Sequence, residues 1–350
     1  MKRFNPLVSA LLLAVMLIAT APAEAAKTYK VCWSHYTGWE PWAYAEESGI
    51  LKKWGDKYGI EIKLTLVNDY IESINLYTVG KFDACVMTNM DALTIPAVGG
   101  VDSTALIIGD FSNGNDGIVA KKLTSVKELK GSKVKLVQLS VSHYLLSRAL
   151  ALNNLAEKDV KLINTSDADI GSLFLADKTG AAVTWNPILM NVRNGKDVNL
   201  LFDSAKIPGE IIDMMVVRSN APAELKKALT GAWYETMSVM SGKDKTAKEA
   251  IAVMAKKAGG TVAEFEAQLK TTAMFYAAKD AVEFSKGKKL QDTMEYVRSF
   301  SFEHGLFGEG AKTKDTVGIA FPDGNVMGNK NNIKLRFDAS YMQMAADGKL

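Results

Sequence analysis

"GSKVKLVQLSVSHYLLSRALALNNL", residues 131–155, holds in one stretch the pattern that decides the fold. Ser132 to Leu139 reads as a short β-strand, and Ser140 or Ser142 then caps a helix that runs on through Leu155. A strand followed closely by a helix is half of a βαβ unit, and the same grammar extends in both directions. Toward the N-terminus, Tyr29–Trp33, Ile60–Val67, Phe82–Thr88 and Ser103–Gly109 read as strands. Between them "PWAYAEESGILKKWG" (41–55), with Pro41 in its first turn and a break at Gly49 or Gly55, and "YIESINLYTVGK" (70–81) read as helices. Toward the C-terminus, Val160–Thr165 and Ala181–Trp185 are strands, and the chain turns helical from Pro222 to about His304.

Two such α/β sets are separated by the Gly/Asn-rich connector "DFSNGNDG" (110–117), followed by strand-like "IVAKK", and a second extended run, "DMMVVRS" (213–219), leads back. The spacing predicts an α/β protein of two parallel-type lobes joined by two hinge crossings, with a helical C-terminal part. Its segments are a first lobe over 26–116, a second over 117–213 and a return to the first over 214–350. With 350 residues, 48% hydrophobic and 23% charged, the chain is long enough for two such lobes and is not of disordered or fibrous composition.

Residues 1–25 read as a signal peptide: Lys2 and Arg3, an apolar run from Leu7 to Ile18, and the small residues Ala23 and Ala25 flanking Glu24 before a cleavage point. An exported, periplasmic protein is expected, without a lipid anchor on a cysteine. Removing Lys2, Arg3 and Glu24 takes the net charge from +3 to +2, which offers nucleic acid no basic face. Cys32 and Cys85 both fall in strand-like runs and read as buried free thiols, a disulfide being the alternative.

In open parallel sheets a ligand lies outside the carboxyl ends of the strands. Strand one ends in "WSHYTGWEPW" (33–42), which holds three of the six tryptophans. Strand two is followed by Asn68, Asp69 and Tyr70, strand three by Thr88, Asn89, Met90 and Asp91, and strand four by the connector. In the second lobe the matching places hold Ser140 to Tyr144, then Thr184, Trp185 and Asn186. Glu210 and Asp213 precede the return crossing.

This set is rich in aromatics and carboxylates and poor in Lys and Arg, which suits a small, flat cation. The expected flat faces are Trp33, Tyr36, Trp39 and Trp185. Glu40, Asp91, Asp110 and Asp116 are the expected acceptors, with Asn89 and Asn186 adding neutral hydrogen bonds. Ser142 and His143, at the start of a helix whose amides favour anions, carry the opposite reading of a sulfonate or nitrate. Each feature also has a plain structural role: tryptophans pack cores, Asp91 can cap "DALTIPA", and His143 can be a structural hydrogen-bonder. No GxSxG, HExxH or phosphate loop is present, and the three histidines lack metal-ligand spacing, so neither catalysis, a metal nor a cofactor is expected.

The aromatic loop after strand one, "GKFDACVMTNMDAL" (80–93), "GSKVKLVQLSVSHYLLSRALALNNL" and "GAAVTWNPIL" (180–189) together resemble the periplasmic solute-binding proteins of ABC importers, in the nitrate/sulfonate/taurine (NMT1-like) class. The resemblance covers most of residues 27–220. It implies a two-lobed fold that closes on a hinge and hands a small molecule to a membrane permease. "SHYTGWEPW", "TNMDALTIPA" and "DFSNGNDGI" resemble the branch associated with urea carboxylase operons, whose implied cargo is guanidinium or urea. The same fold also hosts a thiamine-pyrimidine synthase with a cysteine-rich motif, which this chain lacks. A binding protein is therefore the expectation, and an enzyme the weaker reading.

Overall fold

The computed structural model describes residues 26–350; the expected signal segment lies outside them. In chain order the first strands are β1 (Lys27–Trp33), β2 (Ile60–Leu66), β3 (Ala84–Thr88) and β4 (Ser103–Ser112). A second group follows: β5 (Asp116–Lys121), β6 (Lys133–Leu136), β7 (Lys161–Asn164), β8 (Gly180–Trp185) and β9 (Val198–Asp203). The chain then returns through β10 (Ile212–Arg218), β11 (Thr272–Met274), β12 (Gly318–Ala320), β13 (Val326–Met327) and β14 (Ile333–Phe337).

These strands form two sheets, ordered β13-β12-β14-β4-β10-β3-β1-β2, with β11 on β4, and β7-β6-β8-β5-β9. Strands β1, β2, β3, β4 and β14 run one way, and β10 is inserted antiparallel between β3 and β4. In the second sheet β6, β7 and β8 are parallel, and β5 lies antiparallel between β8 and β9. Strands β5 and β10, inserted antiparallel among the parallel strands, are the two that carry the chain across, so each crossing begins at the edge where its sheet's parallel strands end. Among the described residues no helix is long and apolar enough to cross a membrane.

Several local expectations change. The stretch "PWAYAEESGILKKWG" forms two helices, Glu40–Glu47 and Ile50–Lys57, broken at Gly49, whose φ of 79° is open to glycine and costly for other residues. Ser140 rather than Ser142 caps the Val141–Leu152 helix, its hydroxyl accepting from the Ser142 amide. The connector is shorter than its composition implies: β4 runs on through Asp110 to Ser112, held by β10 and β11, and only three residues separate it from β5. The C-terminal part is helical over most of its length but also adds β11 to β14 to the first sheet, in segments too short to show periodicity. Cys32 and Cys85 are not free thiols. They face each other in register on β1 and β3, with Cα atoms 4.6 Å apart, and form a disulfide buried in the first lobe.

Candidate functional site

Sheet register assembles the site. Asp213, at the start of β10, is paired laterally with Thr88 on β3 and with Asp110 on β4, so three polar side chains stand in one row across three strands. In the second sheet Asp116, at the start of β5, is paired with Trp185, at the end of β8. The loop after β1 adds Tyr36 and Trp39, and the helix Tyr70–Thr78 adds its first residue. Between the two sheets these groups enclose a small cavity of about 10 Å³, lined by Tyr36, Trp39, Tyr70, Thr88, Asp116, Val141, Trp185, Ile211 and Asp213.

Four rings form a continuous aromatic wall. Tyr36 meets Trp39 edge-on with centroids 5.0 Å apart, Trp39 meets Tyr70 at 5.4 Å, and Tyr70 meets Trp185 of the other lobe at 5.7 Å. The lobes are closed on this wall. Trp185 Nε1 donates to the His35 carbonyl at 3.4 Å, and the Tyr70 amide donates to Asp167 Oδ2 at 3.4 Å.

The acids are the site's electrostatic signature. Asp91, Asp110, Asp116 and Asp213 are all buried. Asp116 and Asp213 line the cavity; Asp110 and Asp91 stand behind its rings, accepting from Tyr36 (3.1 Å) and from Tyr70 (2.7 Å) and Thr88 (2.8 Å). Yet Asp91 Oδ1, Asp110 Oδ2 and Asp213 Oδ2 are buried with no donor to satisfy them. Burial therefore pushes every one of these carboxyls up: Asp91 to about 6, against hydrogen bonds from Tyr70 and Thr88, and Asp116 to about 7. Asp110 and Asp213 are lateral neighbours on β4 and β10 and burial raises both, Asp213 being pushed well up by burial and by the charges of Asp110 and Asp116. No Lys or Arg lines the cavity. Arg148 is committed elsewhere, holding Glu210 at 2.8 and 3.0 Å while Tyr144 donates to the same carboxylate at 2.5 Å.

Of the residues nominated from sequence, Tyr36, Trp39, Asp116 and Trp185 line the cavity, and Asp91 and Asp110 stand directly behind it. The rest are placed elsewhere. Trp33 packs edge-on against His35, and Glu40 is buried with its Oε1 2.7 Å from His35 Nδ1. Asn89 clamps the return crossing, accepting from the Ile212 amide and donating to the Glu210 carbonyl. Asn186 accepts from the Met190 amide, and Ser142 is buried on the first turn of its helix with an unpartnered hydroxyl. His143 faces Glu157 and His304, not the cavity. Thr88, not Asp91, caps the short helix Asn89–Ala92, which leaves Asp91 to the site. Sequence reasoning listed Tyr70 and Asp213 at strand ends but left them out of the ligand set; their position was the only signal they carried. Gly38 was also missed. A side chain there would collide with the Asp110 carboxylate, so the aromatic loop can close over the acids only with glycine at this point.

Residues 52–221 match the family model described as NMT1/THI5 like. No curated protein matches the chain. Among solved structures, the alkanesulfonate-binding protein SsuA from Xanthomonas axonopodis pv. citri, bound to MOPS, superposes with a TM-score of 0.66 at 14% identity, over 82% of this chain and 96% of that one. The periplasmic aliphatic sulphonate binding protein SsuA from Escherichia coli gives 0.64 at 16% identity, over 82% and 95%. The periplasmic nitrate-binding protein NrtA from Synechocystis PCC 6803 gives 0.58 at 11% identity, over 91% and 98%. The chain has the periplasmic binding protein fold, with two α/β lobes.

Proposed function

We propose that this protein is an extracytoplasmic solute-binding receptor that closes over a small planar nitrogen compound, guanidinium first and urea second, and delivers it to the membrane permease of an ABC importer. The observation that carries the reading is the set of buried carboxylates without donors around a cavity with no Lys or Arg. Such oxygens need a proton or a cation, because an unpaired buried charge is costly. A guanidinium ion presents several in-plane N–H donors to the acids, and the rings of Tyr36, Trp39, Tyr70 and Trp185 supply faces attractive to a cation. Urea would use the same acceptors and needs a donor for its oxygen; Trp39 Nε1 is buried without an acceptor.

A second reading, an anion of the sulfonate or nitrate kind, is favoured by the proteins of like fold and by the free Ser142 hydroxyl at a helix start. Against it, the cavity is lined by the carboxyls of Asp116 and Asp213 and by no Lys or Arg, so an anion there would meet like charge and no cationic partner. Calorimetric titration with guanidinium, urea, taurine and nitrate in parallel separates the readings. Heat with guanidinium and none with taurine or nitrate is expected, and the reverse would overturn the cation reading.

A further inference from the structure

The sequence places His143, Glu157 and His304 far apart, and the fold brings them together outside the cavity. Their ligand-type atoms all lie within 4.8 Å of one another. His143 is on the Val141–Leu152 helix, and Glu157 follows it on the second lobe. His304 ends the helix Lys288–Glu303, in the segment that follows the return crossing; this helix touches the first lobe through Met294 and Asn89, and the second through Phe300, edge-on to His143 and Tyr144. Glu157 therefore ties the second lobe to the segment that returns to the first.

Neighbouring groups fix the protons. His304 Nδ1 lies 2.7 Å from the Phe300 carbonyl and its Nε2 lies 2.6 Å from Glu157 Oε1. Both nitrogens face acceptors, so both carry hydrogen and the ring is an imidazolium. His143 is the opposite case. Its Nδ1 accepts from the Leu139 amide at 3.1 Å, so Nε2 carries the hydrogen, 3.2 Å from Glu157 Oε2 and short of hydrogen-bond geometry. Leu139 takes φ 63°, in the left-handed region, while its amide serves that ring. A metal on His143 Nε2 would have to displace that hydrogen and break the Leu139 bond, so the cluster is built as an ion pair with a third, neutral partner.

We propose that Glu157, His143 and His304 form an inter-lobe clasp that sets the population of the closed state and releases it when His304 loses its proton. The charged groups facing His304 are Glu157 from the opposite lobe and Glu303 from its own helix, and both favour the imidazolium; those facing Glu157 are the two histidines. Accordingly the Glu157 hydrogen bond raises His304 above the ordinary imidazole value, against partial burial. Burial alone would raise Glu157, but the hydrogen bond and the charge of His304 bring it down. In an open state His304 faces water and titrates near about 6.5. The clasp is then complete below that value and is lost as pH rises through the higher, closed-state value.

The inference rests on the lobe closure in the proposed function and not on the cargo, so its test contains none. Spin labels at Val79→Cys and Leu152→Cys, both exposed and one on each lobe, report the closed and open fractions of the ligand-free protein. From pH 6 to pH 9 the closed-to-open ratio should fall by about tenfold for each unit by which the clasp raises His304. In His304→Gln and Glu157→Gln, checked for folding by circular dichroism, that tenfold-per-unit part of the fall should be absent, leaving only the smaller dependence that the buried aspartates of the cleft contribute. A wild-type ratio that does not change with pH, or a His304→Gln profile that follows the wild type, would overturn the proposal. So would closure driven by added zinc at pH 6 and reversed by a chelator, which would make the cluster a metal site.

Discussion

Binding of a monocation should release protons in the acidic range, and the structure sets both the sign and the size. In the empty site Asp116 holds its proton up to about pH 7 and Asp91 up to about pH 6. A bound cation favours the ionised carboxylates, so its arrival expels protons below these values and none well above them. With Asp116 alone ionising, affinity should rise by about tenfold per pH unit and by about a hundredfold from pH 5 to pH 7, equivalent to about 2.7 kcal/mol. Above pH 7 that rise should flatten, and the His304 clasp should turn it downward. Titration calorimetry with guanidinium at pH 5.5, repeated in buffers of different ionisation enthalpy, counts the protons directly. Release of one or more is predicted. No release, or the proton uptake that an anion would cause beside these acids, would refute the reasoning.

Asp116→Asn should lower guanidinium affinity by on the order of ten- to a hundredfold, the worth of a hydrogen bond to a charged group, with little change in melting temperature. Trp185→Ala removes the second lobe's share of the aromatic wall and its contact with Tyr70; it should weaken binding by about tenfold, read as a faster off-rate in stopped-flow fluorescence. Cys32→Ser with Cys85→Ser opens a loop whose ends are 53 residues apart and should cost about 4 kcal/mol of stability, measured by denaturant unfolding, while leaving the ligand site intact.

Much of the architecture was legible because strands alternate and helices carry caps: the two α/β sets and both crossings follow from "IEIKLTLV", "SKVKLVQL" and the runs at 110–117 and 213–219. The short strands β11 to β14 were not, since two to five residues cannot display a period and their pairing, β11 and β14 on β4, β12 on β14 and β13 on β12, is set by tertiary contact. In the site, Tyr36, Trp39, Asp116 and Trp185 were legible from the rule that ligands gather at strand ends. Trp33, Glu40, Asn89 and Asn186 obey the same rule yet turn to structural work, because position along the chain does not say which way a loop side chain points. Asp213 needed the antiparallel insertion of β10 beside Asp110, and the His143–Glu157–His304 cluster needed two lobes to meet; neither leaves a mark in local sequence.

The central claim, that the cavity takes a cation on buried carboxylates, is tested most directly by a crystal structure grown with guanidinium and taurine present together. The account predicts a planar ion among Tyr36, Trp39 and Trp185, with its N–H groups on Asp116 and Asp213. A sulfonate seated at Ser142 and the start of the Val141–Leu152 helix, with the four aspartates left to share protons, would contradict it.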